Sequence, residues 1–286
     1  MRIGCHISIR NGYLGAARTA YAIGANAFQY FPKNPRSMGI KDFDKKDAEA
    51  CRRFSRDHGL RSIAHTAYPI NLCAAEAELY ELTVRHLRND LEIAEACGSL
   101  GVVVHFGHFK GPDPLEGYKR IIQMLNELLA DWSGQAKILL ENNAGVGGRM
   151  GTTIEELLQV RSLLAAPEKV GFCLDTCHAF ASGLWRGDNW DEVAERMRSS
   201  GYLALLGAVH LNDSVYPCCS CRDRHAPIGR GEIGAEAIAR FLQTPELADL
   251  PIILETPAPA DGGHQQEIAL VRQLAQTEDT RLPVEK

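Results

Sequence analysis

The 286-residue chain lacks any apolar run approaching the 18 or so residues that a membrane-spanning helix needs, which argues against a helical membrane protein. It lacks a charged-then-apolar leader over Met1 to Arg10, so the expected compartment is the cytoplasm. Positive charge is not in surplus: 31 Lys and Arg face 36 Asp and Glu, a formal net charge of −5 that speaks against a generic polyanion binder. No Ser/Gly linker, charge block or low-complexity tract interrupts the chain, so residues 1–286 are expected to form one domain. Nine cysteines, an odd number spread over a long chain, read as reduced thiols rather than a disulfide framework. Most, such as Cys5, Cys97 and Cys173, sit among apolar neighbours and behave as small hydrophobes. Cys218, Cys219 and Cys221 stand apart; they lack the paired Cys-x-x-Cys spacing of a zinc site and read as exposed thiols.

What is present is ordinary globular composition, 45% hydrophobic and 23% charged, enough to build a large core. Eight short apolar or β-branched runs recur along it: 2–8, 27–31, 62–65, 102–106, 137–141, 170–174, 206–211 and 251–255. Stretches with helical spacing lie between them, at 47–57, 75–96, 114–131, 153–164, 188–198 and 235–242. Gly24, Gly59, Gly98 and Gly201 close several of these units as left-handed C-caps. Strands alternating with helices pair in parallel, and eight units in this length predict an α/β fold, a single (β/α)8 TIM barrel. An open doubly wound sheet would want a Gly-x-Gly-x-x-Gly turn after an early strand, and none is there.

The strand ends carry the chemistry. Strands three to eight close on His65, His105, Glu141, Asp175, His210 and Glu255, all at the C-terminal face where barrels build active sites. His178 follows three residues after Asp175, and Asp223 and His225 are two residues apart. Buried imidazoles and carboxylates are costly unless paired or metallated, so the set predicts a metal site at that face. Nine candidate ligands exceed the four or so that one zinc accepts and point to two or three ions. Five imidazoles with four carboxylates suit zinc, with manganese possible in part. Clustered ions suit phosphate ester hydrolysis.

These residues lie in stretches that resemble the endonuclease IV family of apurinic/apyrimidinic endonucleases. The matching stretches are His65-Thr66-Ala67-Tyr68-Pro69-Ile70-Asn71-Leu72, Glu141-Asn142-Asn143-Ala144-Gly145, Asp175-Thr176-Cys177-His178-Ala179-Phe180, His210-Leu211-Asn212-Asp213, Asp223-Arg224-His225-Ala226-Pro227-Ile228-Gly229 and Glu255-Thr256-Pro257. The resemblance spans nearly the whole chain. It implies a zinc-dependent deoxyribonuclease of base-excision repair that cuts duplex DNA 5′ to abasic sites by a trinuclear zinc hydroxide mechanism, leaving a 3′-hydroxyl and a 5′-deoxyribose phosphate. It further implies one zinc on His65, His105 and Glu141, a second on Glu141, Asp175, His210 and Glu255, and a third on His178, Asp223 and His225. Glu141 and Glu255 would be catalytic, and the protein would act as a monomer. DNA contacts map to Asn34, Arg36 and Tyr68, with Arg222 and Arg230 as candidate phosphate partners.

Departures from the family pattern are local. His105-Phe106-Gly107-His108 lacks a proline and one residue, Val215 and Cys221 stand where basic residues are usual, Met38 replaces an aromatic, and Pro69 follows Tyr68. Two further readings compete: a sugar isomerase or epimerase barrel, which leaves His178, Asp223 and His225 without purpose, and a damage-binding protein without turnover. His6 is expected to line the pocket, Cys177 to face the barrel wall, and His58 and His86 to lie on helix surfaces.

Overall fold

A computed structural model describes residues 1–257 and 263–276. The elements run β1 (Arg2–His6), α1 (Gly12–Ala22), β2 (Ala27–Tyr30), α2 (Lys45–Asp57), β3 (Arg61–His65), α3 (Ala77–Cys97), β4 (Gly101–His105), α4 (Pro114–Leu129), β5 (Lys137–Glu141) and α5 (Ile154–Ser162). They continue with β6 (Val170–Asp175), α6 (Thr176–Ser182), α7 (Trp190–Ser199), β7 (Leu206–His210), β8 (Asp213–Ser214), β9 (His225–Ala226), α8 (Gly234–Leu242), β10 (Pro251–Leu254) and α9 (Gln265–Gln276). The eight expected strands close into a barrel in the order β1-β10-β7-β6-β5-β4-β3-β2, every pair parallel. β8 and β9 form a separate antiparallel pair outside it.

Two apolar cores follow from this closure. The larger lies between the strands and the surrounding helices. The smaller takes one residue from each of seven strands, Ala27, Ile63, Val103, Leu139, Cys173, Ala208 and Ile253, and fills the barrel interior. Gly4 of β1 pairs with Ala27 and Ile253 and holds the eighth place in that ring. A Cβ on Gly4 would stand 1.6 Å from the Ala27 carbonyl oxygen, so only glycine fits.

Side chains on a strand alternate faces, so the next inward residue lies two positions further on. Adding two to each member of that ring gives His6, Gln29, His65, His105, Glu141, Asp175, His210 and Glu255. The polar site is therefore the layer above the interior core, and strand register puts it there.

Local sequence sets the helices. The α4 start has Pro114 at its first position behind Asp113, whose carboxylate accepts from Leu115 N–H, and α5 opens with a Thr153/Glu156 capping box. α1 and α6 were not among the expected helices: α1 has neither a side-chain cap nor a charged first turn, and α6 is seven residues long. His86 is a correction. It is wholly buried on α3, with Nε2 3.2 Å from Asp90 Oδ2, whereas His58 is exposed as expected. Among the described residues no helix is long and apolar enough to cross a membrane.

Candidate metal centre

His65, His105 and Glu141 bring ligand atoms together, as do Glu141, Asp175, His210 and Glu255, and as do His178, Asp223 and His225. All nine candidate ligands thus converge, and Glu141 belongs to two groups. Glu141 Oε2 faces His65 Nε2 at 3.6 Å and His105 Nε2 at 3.4 Å, while Oε1 lies 2.9 Å from His210 Nδ1. Ligands held about 2.0–2.2 Å from a tetrahedral ion stand roughly 3.3–3.6 Å apart, so the Oε2 spacing is that of donors sharing a cation. Glu141 Oε2 is buried and has no hydrogen-bond partner among the described residues. An orphaned buried carboxylate oxygen amid imidazoles is a donor that a cation would satisfy. Asp223 binds His178 Nε2 at 3.2 Å and His225 Nε2 at 3.3 Å, one through each oxygen.

The imidazoles are aimed by what their other nitrogens touch. His65 Nδ1 lies 2.7 Å from the Thr66 carbonyl, His178 Nδ1 2.9 Å from that of Asn142, and His225 Nδ1 3.3 Å from that of Glu255. His210 is held the other way round, with Nε2 2.8 Å from the side-chain oxygen of Gln29. Each of these rings donates one N–H to a carbonyl-type oxygen and turns its other nitrogen toward the clusters, the orientation that ligating histidines require.

Carboxamides stitch the rim. Asn142 exchanges two hydrogen bonds with the Asp175 backbone, and Asn212 donates to Asp175 Oδ2 at 2.7 Å while accepting from Glu255 N–H. Asp175 also caps α6 by accepting the His178 N–H. Asp213 accepts from the backbone N–H groups of Ser214, Gly229, Gly231 and Ile233, folding the 227–234 loop. The short loop after His105 is pinned by Asn71, which bonds His108 N–H and carbonyl, and by Asn143, which donates to the Gly107 carbonyl.

Electrostatics follow from burial with close opposite charge. Burial alone would raise Glu141, but His210 and His105 outweigh it and hold the carboxyl well below its usual range. Burial works against a charged His178 and is overcome by Asp175 and Asp223, which raise it well above 6.5. His225 is likewise raised, to about 9, because Asp223 and Asp175 exceed the cost of burial. Burial lowers His6 and His105 to about 4. A cavity of about 240 Å³ opens over these groups, bordered by Phe31 and Tyr68.

Three features were not anticipated. Gln29, wholly buried, also donates to Glu255 Oε1 at 2.6 Å and so touches two candidate ligands. Its signal was the strand register, since it occupies the place on β2 that candidate ligands occupy on six of the other strands. Cys177 is a correction: its sulfur comes within reach of Asp175 and His225 rather than facing only the wall. Burial pushes that thiol up to about 12 and it bonds the Arg224 carbonyl at 3.8 Å. Lys33 is buried against Asp90 Oδ1 at 3.0 Å and donates to the His86 carbonyl, while Asp90 Oδ2 accepts from Thr66 beside His65.

Of the predicted DNA contacts, Tyr68 alone borders the cavity. Tyr68 is 61% exposed, stacks edge-on against Phe31, and donates its N–H to the Pro35 carbonyl, joining the loop of Arg36 to that of His65. Asn34 and Arg36 are exposed, and Asn34 Oδ1 accepts from Arg36 N–H. Arg222 is laid over the Tyr216 ring at 3.6 Å and bonds its hydroxyl, and Arg230 is exposed. Neither arginine borders the cavity of the metal clusters.

A family model described as a xylose isomerase-like TIM barrel matches residues 17–274. A protein of Symbiobacterium thermophilum named probable endonuclease 4 is 42% identical, covering 96% of this chain and 100% of that protein. The chain belongs to the endonuclease IV family. A probable endonuclease 4 of Moorella thermoacetica is 38% identical over 96% of the chain. The crystal structure of endonuclease IV from Thermus thermophilus superposes with a TM-score of 0.84 at 34% identity, covering 96% of this chain and 99% of that one. A 3-keto-D-glucoside 4-epimerase from E. coli shares the fold at a TM-score of 0.66 and 17% identity. The barrel is thus common to an endonuclease IV and a sugar epimerase.

Proposed function

We propose that the chain hydrolyses the phosphodiester 5′ to abasic sites in duplex DNA, leaving a 3′-hydroxyl and a 5′-deoxyribose phosphate, as a cytoplasmic monomer whose 286 residues form one domain. The observation that carries this reading is the convergence of nine ligand-type side chains into three groups, two of which share Glu141. Zinc is the cation that the donor set suits. His65, His105 and Glu141 would hold one ion, Glu141, Asp175, His210 and Glu255 a second, and His178, Asp223 and His225 the third. Bound there, such ions lower the pKa of water and neutralise charge on a phosphoryl group.

The chain's own groups do the rest. His210 outweighs the burial of Glu255 and keeps it ionised below the usual glutamate range, and Glu255 Oε2, 3.1 Å from His210 Nδ1, would be the oxygen that takes a proton from water. Gln29 holds the other oxygen of that carboxylate. Tyr68, on its Phe31 support, and Arg36 stand where they can enter the gap left by a missing base, a step cheapest at a damaged site.

The test is to incubate purified protein with a duplex bearing one abasic analogue, with and without prior EDTA, and to count zinc per chain. Expected are incision 5′ to the lesion, about three ions, and loss of incision after EDTA. Tight binding to a duplex that stays intact would leave only a damage-binding protein, and turnover of sugars without incision would favour the epimerase reading. Glu255→Gln is expected to suppress incision while sparing lesion binding.

A further inference from the structure

Six of the nine cysteines are buried, and the other three, Cys218, Cys219 and Cys221, share the loop between β8 and β9. Among the described residues, the only non-glycine positions with positive φ are Cys219 at 63° and Cys221 at 52°. A left-handed backbone costs an L-residue with a Cβ roughly 1–2 kcal/mol, and such strain persists only where its surroundings impose it. Here the C-terminal end of α6 imposes it: Cys219 N–H donates to the Phe180 carbonyl at 3.2 Å and Cys221 N–H to that of Ala181 at 3.0 Å.

The strain has a chemical result. Successive side chains on an extended chain point to opposite sides. The turn at Cys219 folds its side chain back beside that of Cys218, and the two sulfurs lie 3.1 Å apart. Cys219 is exposed and Cys218 is half-buried against the Trp185 carbonyl.

We propose that Cys218 and Cys219 form a modification site, a vicinal dithiol that closes reversibly to a disulfide when a hydroperoxide supplies a two-electron oxidation. Cys219 sulfur attacks one peroxide oxygen: the S–O bond forms, the O–O bond breaks, and the hydroxide released takes up the thiol proton as water, leaving a sulfenic acid. Cys218 sulfur then attacks that sulfur: the S–S bond forms, the S–O bond breaks, and the departing hydroxide takes the second thiol proton. Two thiols and one hydrogen peroxide become one disulfide and two waters. Burial and the neighbouring Cys219 push the Cys218 thiol up to about 11, so Cys218 keeps its proton while its exposed neighbour meets the oxidant.

Neighbouring Cα atoms stand about 3.8 Å apart across a trans peptide, short of the roughly 4.4–6.8 Å usual for disulfides. The closed ring is therefore strained and readily opened by cellular thiols, which makes it a switch rather than a staple. Closure also moves the backbone at Cys219, which hangs on the helix that carries His178 and precedes Asp223 by four residues. Oxidation is accordingly felt at the third ligand group; this consequence rests on the metal reading, whereas ring closure does not.

The experiment treats the full-length, zinc-loaded protein with limiting hydrogen peroxide and follows intact mass and thiol-blocked peptides. Expected is loss of the mass of two hydrogens in the peptide holding Cys218 to Cys221, reversed by dithiothreitol, with release of zinc to a chromogenic chelator. Cys218→Ser is expected to leave a sulfenic acid on Cys219 that dimedone traps, and Cys221→Ser to behave as the native chain. Free thiols at both Cys218 and Cys219 after peroxide has oxidised other cysteines would overturn the site, as would loss of closure in Cys221→Ser. Ring closure without zinc release would overturn only the coupling to the third group. The native-chain masses decide the matter even if a variant fails to fold.

Discussion

Replacing Gln29 by Leu keeps the volume and removes all three polar contacts of a wholly buried side chain, the weakest of them to His6 Nδ1 at 3.3 Å. Gln29 accepts from His210 Nε2 at 2.8 Å and donates to Glu255 Oε1 at 2.6 Å. A buried N–H or carboxylate oxygen that loses its partner costs about 1–3 kcal/mol. Without metal the His210 ring can turn and water can enter; with metal the ring must point Nδ1 at the ion and leave Nε2–H bare. The cost therefore falls mainly on the metal-bound state. About 1.4–2.8 kcal/mol corresponds to a tenfold to hundredfold loss of affinity, which is the range for groups supporting metal ligands. Zinc affinity measured by chelator competition, with zinc counted per chain, reads this directly. Gln29→Glu offers a control: it keeps the acceptor for His210 but sets a second carboxylate against Glu255, and is expected to weaken zinc binding as well. If both variants bind zinc within threefold of the native chain, Gln29 does not position these ligands.

Asp90→Asn leaves Lys33 buried without its partner and is expected to destabilise the fold by about 3–5 kcal/mol in denaturant titration, with Lys33→Met in the same chain recovering most of that loss. A cost below about 1 kcal/mol would refute the buried pair. Burial would raise Glu267, but bonds from His264, Thr256 and Ile228 N–H hold it below the ordinary 4.5. Its stabilisation is therefore full above about pH 4.5 and is lost as pH falls through the lower folded value, so Glu267→Gln should flatten the dependence of Tm on pH in that acidic window. Gly4→Ala drives a methyl into the Ala27 carbonyl and is expected to cost about 3 kcal/mol or more; an unchanged denaturation midpoint would show that the interior ring tolerates it.

Much of this architecture was legible because the strand ends carry residue types that are expensive to bury. His65, His105, Glu141, Asp175, His210 and Glu255 announce both the barrel and its open end, and the family resemblance groups the loop residues His178, Asp223 and His225, which the structure brings together. Gln29 was missed because a carboxamide is not a ligand type; its place two residues beyond Ala27 becomes informative only once the inward register is known. His86 misled because α3 turns a polar face inward, where His86, Asn89 and Asp90 anchor the segment from Lys33 to Lys41. Periodicity counts apolar residues and is blind to such a face.

The burial of Lys33 changes how this surface should respond to salt. Lys33 is spent on Asp90, so its ammonium is not free to displace cations condensed along a DNA backbone, whereas Lys41 is held against the uncharged Tyr13 hydroxyl and ring. Each phosphate that a protein neutralises adds about 0.9 to the slope of log affinity against log salt. On the proposed reading, Tyr68 and Arg36 would read the lesion while Lys33 faces inward, and that part of the surface would add little to the slope. Its share of binding should persist at ionic strengths that strip proteins relying on backbone charge.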